Sequence, residues 1–318
     1  MYTSVVRYLL IANPVSGGGS ARRDVDAVLK YFRKRGHDIE VRFTERVGHA
    51  EVLAREAASG AYDVIIVGGG DGTINEAING IAGSPMRLAV IPWGTGNVFA
   101  TEMRFPKSIG AICRLIILGD AEALDLGVCN GRRFLLMAGV GVDAYSLKQL
   151  EGQGLKRRLG VIAYAIAGIR AFTRYSYPSI EVELPDGRTD SGSFVLVSNT
   201  SLYGDIFSFT PNASPLDGRL DVFVFRETGR WNTLVLAIRY LARSLVNPDL
   251  SIPPVGLQRF KIYRTESIRL RSAKSAYSQI DGELGSSLPL EISIAPKAVQ
   301  LIVPKRRLKR YRRISKAE

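Results

Sequence analysis

One stretch constrains this 318-residue chain more than any other. The apolar run Val64-Ile65-Ile66-Val67 ends on Gly68-Gly69-Gly70 and passes through Asp71-Gly72-Thr73 into a helical pattern from Ile74 to about Ile81. With no polar residue in it, the run reads as a strand buried on both faces, as in a parallel sheet covered by helices. Three glycines let the backbone turn sharply and approach something that a Cβ would block. Thr73 is expected to cap the helix, and backbone N–H groups at such a helix start make an anion site. Asp71 puts a carboxylate where a phosphate is expected, which makes sense if a divalent cation lies between the two anions. The stretch therefore reads as a loop for a metal-bound phosphate. It is not a P-loop, because G-x-x-x-x-G-K-[ST] occurs nowhere in the chain.

The same punctuation recurs on either side. Val5 to Ala12 read as a strand followed by Asn13-Pro14-Val15-Ser16-Gly17-Gly18-Gly19, a second phosphate-facing loop, and a helix from about Arg22 to Lys34. Asp38 to Phe43 make the next strand, and residues 44–50 lead into a helix ending near Gly60. Arg87 to Ile91 is a further strand, closed by Pro92-Trp93-Gly94-Thr95-Gly96-Asn97. Strands alternating with helices predict a doubly wound parallel sheet with its ligand site at the strands' carboxyl edge.

From Ala121 the pattern changes. Glu122 to Cys129, the Asn130-Gly131 turn and Phe134 to Ala138 read as a hairpin. Short strands follow at Ser179 to Leu184, Ser193 to Ser198, Leu220 to Phe225, Phe260 to Arg264, Ile268 to Arg271 and Leu290 to Ile294. They predict an antiparallel β-sandwich. The expected organisation is thus an α/β domain over 1–124, a β-sandwich over 125–303 and a basic tail over 304–318. Two apolar helical patterns, Leu159 to Phe172 and Leu234 to Val246, read either as helices packed on the sandwich or as the borders of an apolar groove for an acyl chain. Gly139 to Ala144 match G-x-G-x-x-A, but no partner helix or correctly spaced acidic residue is evident for a dinucleotide site.

G-G-G-D-G-T followed by Asn75-Glu76 resembles the catalytic domain of diacylglycerol kinases, which is shared with sphingosine kinases, bacterial soluble lipid kinases and, more distantly, NAD kinases. The N-P-x-S-G opening, the G-T-x-N segment at 94–97 and the A-G-x-G-x-D-A at 138–144 are similar too, the last an inter-domain element in that family. The resemblance runs from about Ser4 to Val303. It implies ATP as co-substrate, with nucleotide contacts at Asn13, Ser16, Gly17, Thr44, Gly68, Gly69, Gly70, Gly72, Thr73, Asn75, Glu76, Gly94, Thr95 and Asn97. It implies Mg²⁺ bridging the phosphates and Asp71, and three carboxylates, Asp71, Asp125 and Glu283, match the family's catalytic positions. Glu283, in Asp281-Gly282-Glu283, would be the general base that deprotonates a lipid hydroxyl; taken alone, the tripeptide is also an Asp-Gly turn followed by a solvated Glu. A second, structural Mg²⁺ would be held by Asp217 with the carbonyls of Ser214 and Arg219; alternatively Asp217-Gly218 is only a turn. Val98 stands where the family has Asp, so any work of that carboxylate is absent or supplied elsewhere. Rival readings are an NAD kinase and a catalytically silent protein that binds nucleotide and lipid.

Composition narrows the remaining chemistry. Two histidines, His37 and His49, leave little with which to build a Ser-His-Asp hydrolase or a His-rich zinc site. Cys113 and Cys129 have no metal or redox spacing and read as core residues. No leader-like or bilayer-spanning run is visible, so a cytoplasmic protein, peripheral at the inner membrane surface, is expected. Of the net charge of +13, residues 305–318 supply +7 through eight Lys or Arg and one Glu. That tail reads as a solvated end or as an attachment to an anionic membrane surface. No nucleic-acid motif accompanies it, and a homodimer is left open.

Overall fold

The computed structural model describes residues 6–19, 21–60, 62–150, 174–204, 208–227, 229, 231–232 and 259–314. Both apolar helical patterns, at 159–172 and 234–246, lie outside these residues, as do Val5 and the last four of the tail. The chain divides into two compact units. The first comprises Met1–Leu126, Pro215–Asp217 and Ala295–Glu318; the second comprises Gly127–Ser214 and Gly218–Ile294.

The first unit holds a parallel sheet. Strands β1 (Arg7–Ala12), β2 (Asp38–Phe43), β3 (Val64–Gly69) and β4 (Arg87–Pro92) lie in the order β2-β1-β3-β4. Ala12 stands level with Phe43 and Gly68, and Gly69 with Pro92, so all four strands end along one edge. The chain steps from β1 outward to β2 and then back past β1 to β3. Between β1 and β3 it leaves the crevice where open α/β sheets bind ligands. Helices α1 (Ala21–Arg33) and α5 (Ile109–Leu118) pack together, and their Val25, Val28, Phe32, Ile112 and Ile116 join Leu10, Ile66, Ala89 and Ile91 in one core. Helices α2 (His49–Ala58) and α3 (Asp71–Gly80) pack against each other. A short helix α4 (Val98–Met103) follows the loop after β4.

The second unit is an antiparallel sandwich. One sheet runs β12-β11-β10-β7-β14-β15, built from Phe260–Thr265, Leu220–Phe225, Phe194–Ser198, Met137–Val140, Ser278–Ile280 and Glu283–Leu284. The other joins β13 (Ser267–Arg271), β8 (Ile180–Glu183) and β9 (Thr189–Gly192) to the first residues of β16 (Leu290–Ile302). Val195, Val197, Val222 and Val224 of the first sheet share a core with Ile180, Val182, Leu270 and Ile292 of the second. These side chains fill the space between the two sheets.

Three local expectations differ from what forms. The hairpin at Asn130-Gly131 joins β5 (Ala121–Cys129) to a three-residue β6 (Arg132–Phe134), and the next strand, β7, goes to the other sheet. Both turn residues have positive φ, at 47° and 85°, the turn that Asn-Gly favours. A helix, α6 (Val142–Leu150), does follow Gly141, but its strand β7 is antiparallel to β10 and β14, so no βαβ unit forms. Strand β16 does not stop at Ile294. It runs to Ile302, and Gln300 and Leu301 pair in parallel with Arg87 and Leu88, giving the first unit a fifth strand.

Residues 305–314 are also more than a tail. They form helix α7 (Lys305–Ile314), with Arg307, Leu308 and Tyr311 buried. The Arg307 guanidinium and the Tyr311 hydroxyl both donate to Oε1 of Glu102 on α4, itself fully buried. The seven basic residues of α7 read as a solvated end or as an attachment to an anionic membrane surface; six of them are exposed, and the partner that buries Arg307 lies two hundred residues earlier.

Candidate functional site

The glycines after β3 are explained first by packing. A Cβ on Gly68 would come within 2.1 Å of the Trp93 ring, and one on Gly94 within 2.5 Å of the Gly70 Cα. The Gly69 carbonyl accepts from the N–H groups of Trp93, at 2.9 Å, and Gly94, at 3.2 Å. The loops after β3 and β4 are thereby pressed together backbone to backbone, which only glycine permits at Gly94. Gly70 itself is extended, with φ −92°, and no left-handed turn is needed there.

The helix begins three residues earlier than the threonine suggested. Gly70 is the N-cap of α3, no side chain caps it, and the Ile74 N–H is bonded to the Gly70 carbonyl at 3.1 Å. Thr73 is buried inside the first turn, where its hydroxyl accepts from Asn13 Nδ2 at 3.2 Å. The backbone N–H of Asn13 donates to the Gly68 carbonyl at 2.8 Å, and Asn13 Oδ1 accepts from Val15 N–H at 3.2 Å. The loops after β1 and β3 are joined through this one asparagine. Ser16 and Gly17 lie in a 3₁₀ turn, Ser16–Gly19, with Gly17 at φ 59° and exposed. Thr44 is buried and its N–H reaches the Ala12 carbonyl at 2.9 Å.

Asp71 faces the start of α4. Its Oδ2 accepts from Val98 N–H at 2.9 Å and its Oδ1 from Phe99 N–H at 3.0 Å. Burial pushes this carboxyl above the usual range, and the Phe99 and Val98 amides hold it back. The contact from Val98 is made by its backbone, so the side chain at the position where the family carries Asp does not enter it. A carboxylate offers about four acceptor positions, and the amides of Phe99, Val98 and Asp71 itself occupy only part of them. Hard oxygen donors of this kind suit Mg²⁺, which takes one or two carboxylates and fills its shell with phosphate and water oxygens. Among the described residues no three His, Cys, Asp or Glu side chains cluster to hold a cation by themselves.

Several expected contacts have other partners. Glu76 is buried with Oε1 on Gly48 N–H at 2.8 Å and Oε2 on Ala50 N–H at 3.1 Å, capping the start of α2. Asn75 is buried and accepts from Asn79 Nδ2 through Oδ1 at 3.2 Å. Asn97 is left-handed, with φ 53°, and donates to the Gly94 carbonyl at 2.6 Å, while Gly72 is half-buried and Thr95 exposed. Asp125 is 2% exposed, and its Oδ1 accepts from Lys297 N–H at 2.7 Å. Pro215–Asp217 belongs to the first unit and Ser214 and Arg219 to the second.

In the second unit the Asp281-Gly282 pair, with φ 49° and 82°, is the tight turn between β14 and β15. The Asp281 carboxylate accepts from the N–H groups of Leu135, Leu136 and Met137 at 2.8 to 3.0 Å. Glu283 opens β15 with its side chain exposed. Asp143 is half-buried, and its Oδ2 accepts from the Tyr203 hydroxyl at 3.1 Å, in space that a Cβ on Gly139 would fill. Sequence reasoning passed over Arg104 and Lys107. In the first unit they line a groove of about 790 Å³ that Gly17, Gly94 and Asn97 also border, whereas Thr44, Asp71 and Thr73 do not. The only sequence signal for them was two cations shortly after the third glycine loop.

Residues 7–129 match the family profile described as the diacylglycerol kinase catalytic domain, and residues 137–303 match the YegS C-terminal NAD kinase beta sandwich-like domain. The chain is similar to a diacylglycerol kinase of Bacillus subtilis, 31% identical over 304 residues that cover 94% of this chain and 97% of that one. A Staphylococcus aureus diacylglycerol kinase is 28% identical over 305 residues, covering 94% and 92%. Among solved structures, that of a diacylglycerol kinase from Bacillus anthracis superimposes with a TM-score of 0.70 at 26% identity, over 95% of this chain and 98% of that one.

Proposed function

Because the chain belongs to the diacylglycerol kinase catalytic-domain family, and is a kinase in that coarse sense, we propose that it transfers the γ-phosphate of ATP to the hydroxyl of a diacylglycerol-like lipid, with Mg²⁺ as cofactor. The observation that carries the reading is the convergence at one sheet edge of the loops after β1, β3 and β4, with Asp71 fixed between the starts of α3 and α4. In this reading 1–124 bind nucleotide and 125–303 bind lipid, and the protein works peripherally at an anionic membrane surface.

Backbone N–H groups at the start of α3 and the glycine turn after β1 receive phosphate oxygens, where a helix N-terminus favours negative charge. The chain's loops are already bonded to one another, so little ordering is needed when the nucleotide arrives. Mg²⁺, when bound, spreads the charge of the phosphate oxygens. Asp71 would hold it through the acceptor capacity its amide partners leave. Asp125, buried with its Oδ1 on Lys297 N–H, is the third carboxylate of this proposal. Glu283 accepts the proton of the lipid hydroxyl as it attacks; its exposed position leaves it able to meet a substrate.

The test is transfer of labelled γ-phosphate from ATP and Mg²⁺ to a panel of lipids in mixed micelles, with NAD included, by wild type and Glu283→Gln. Label on one lipid, lost in the variant, supports both reaction and base. Label on NAD would replace the reading by an NAD kinase, and bound ATP with silence from both proteins would replace it by a binding protein.

A further inference from the structure

Helix α7 sorts its residues by face. Arg307, Leu308 and Tyr311 point inward, where Arg307 and Tyr311 meet Glu102. On its flanks Lys305 pairs with Asp120 at 2.7 Å, and Arg312 reaches both oxygens of Glu122 at 2.7 Å. The remaining cations, Arg306, Lys309, Arg310 and Arg313, are all exposed, and none has an ion-pair partner among the described residues. Their spacing is i, i+3, i+4, i+7, which places them in one stripe roughly 10 Å long on a single helix face. The helix contains no acidic residue. Four like charges so placed repel one another, and the buried face holds them together in spite of it.

We propose that this stripe is a docking surface for an anionic lipid bilayer. The proposal rests on the lipid-kinase reading, which puts the acceptor in a membrane. The stripe is a row of point charges with its one aromatic, Tyr311, turned inward. Such a row matches the dispersed negative charge of a lipid surface, whereas single-stranded nucleic acid is gripped through exposed aromatic platforms. The inward face gives the stripe a rigid base, since the Glu102 contacts fix α7 to α4 and α4 holds Asp71. Docking therefore holds the first unit to the surface through an element that is continuous with the phosphate loops.

The experiment is flotation of the full chain, without ATP, with phosphatidylcholine vesicles with and without phosphatidylglycerol. It compares wild type with a variant carrying Gln at 306, 309, 310 and 313 and with a control carrying Gln at Lys30, Arg33, Lys34 and Lys274, exposed cations outside α7. At about fivefold per basic residue near the surface, the α7 variant is expected to lose on the order of a hundredfold or more in binding to phosphatidylglycerol vesicles, and the control only a few-fold. Wild-type binding is expected to fall steeply with added salt. The proposal is overturned if the α7 variant still floats, if both variants lose equally, or if wild type ignores the vesicles and binds duplex DNA or RNA. Transfer to a short-chain, monomeric diacylglycerol separates the two ideas. The α7 variant should match wild type there, while vesicle binding by a protein that phosphorylates no lipid leaves docking standing and removes the kinase reading.

Discussion

Replacing Arg307 by methionine keeps the aliphatic stem and removes the charge. Glu102 is 1% exposed, Arg307 5% and Tyr311 0%, so the variant leaves a buried carboxylate without its guanidinium, with the Tyr311 hydroxyl still donating to Oε1. Breaking a buried pair from one side costs about 3–5 kcal/mol, and the surviving Tyr311 contact places the expected loss near the lower end. At roughly 2–4 °C per kcal/mol, that is a fall in Tm of about 6–12 °C. Removing both charges, Glu102→Gln with Arg307→Met, leaves no unpaired ion and is expected to lose only about 1 kcal/mol, so the double variant should be more stable than the single one. Urea and thermal unfolding of wild type, both single variants and the double variant give the coupling directly. Additive losses, or a Tm for Arg307→Met within about 2 °C of wild type, would refute the argument that a desolvated pair anchors α7. The effect should also reach Asp71, since Glu102 sits on the six-residue helix whose first two N–H groups hold that carboxylate.

Further outcomes follow from the same geometry. Gly94→Ala puts a Cβ 2.5 Å from a backbone atom that has no rotamer to move, so it should destabilise by about 1–3 kcal/mol and weaken ATP binding in a calorimetric titration, with unchanged affinity counting against the loop contact. Burial raises the Asp143 carboxyl, against the Ala144 amide, Tyr203 and Gln279, so the folded protein keeps a proton that the unfolded chain releases above about pH 3.9. Stability should therefore fall as pH rises from there to the folded value, and Asp143→Asn should abolish that slope in urea titrations; equal slopes would contradict it. Burial pushes both Cys113 and Cys129 up to about 11, so neither should react with a thiol reagent at neutral pH until denaturant is added, and native labelling of either would contradict their placement.

The chain's own pattern determined a good deal. The unbroken apolar run at 64–67 reads as a strand covered on both sides, those at 5–12 and 87–91 read as strands beside it, and the glycines after them announce loops at a common edge. Many short strands separated by turn signals, among them 179–184 and 268–271, announced a sandwich. These are local signals, carried by residues two to four apart. What they could not convey is where each side chain spends its hydrogen bonds. Glu76 looks like part of a phosphate motif and caps α2, Asp281 looks like half of a catalytic tripeptide and is tied to three backbone amides, and Gly68 makes room for an indole. Nor could a short apolar pattern at 290–294 tell that its strand continues to pair with β4, or a run of arginines that one of them is buried on a glutamate two hundred residues away. Those choices depend on partners that only the folded chain brings together, because burial and hydrogen bonding are settled by neighbours in space and periodicity reports only neighbours in sequence.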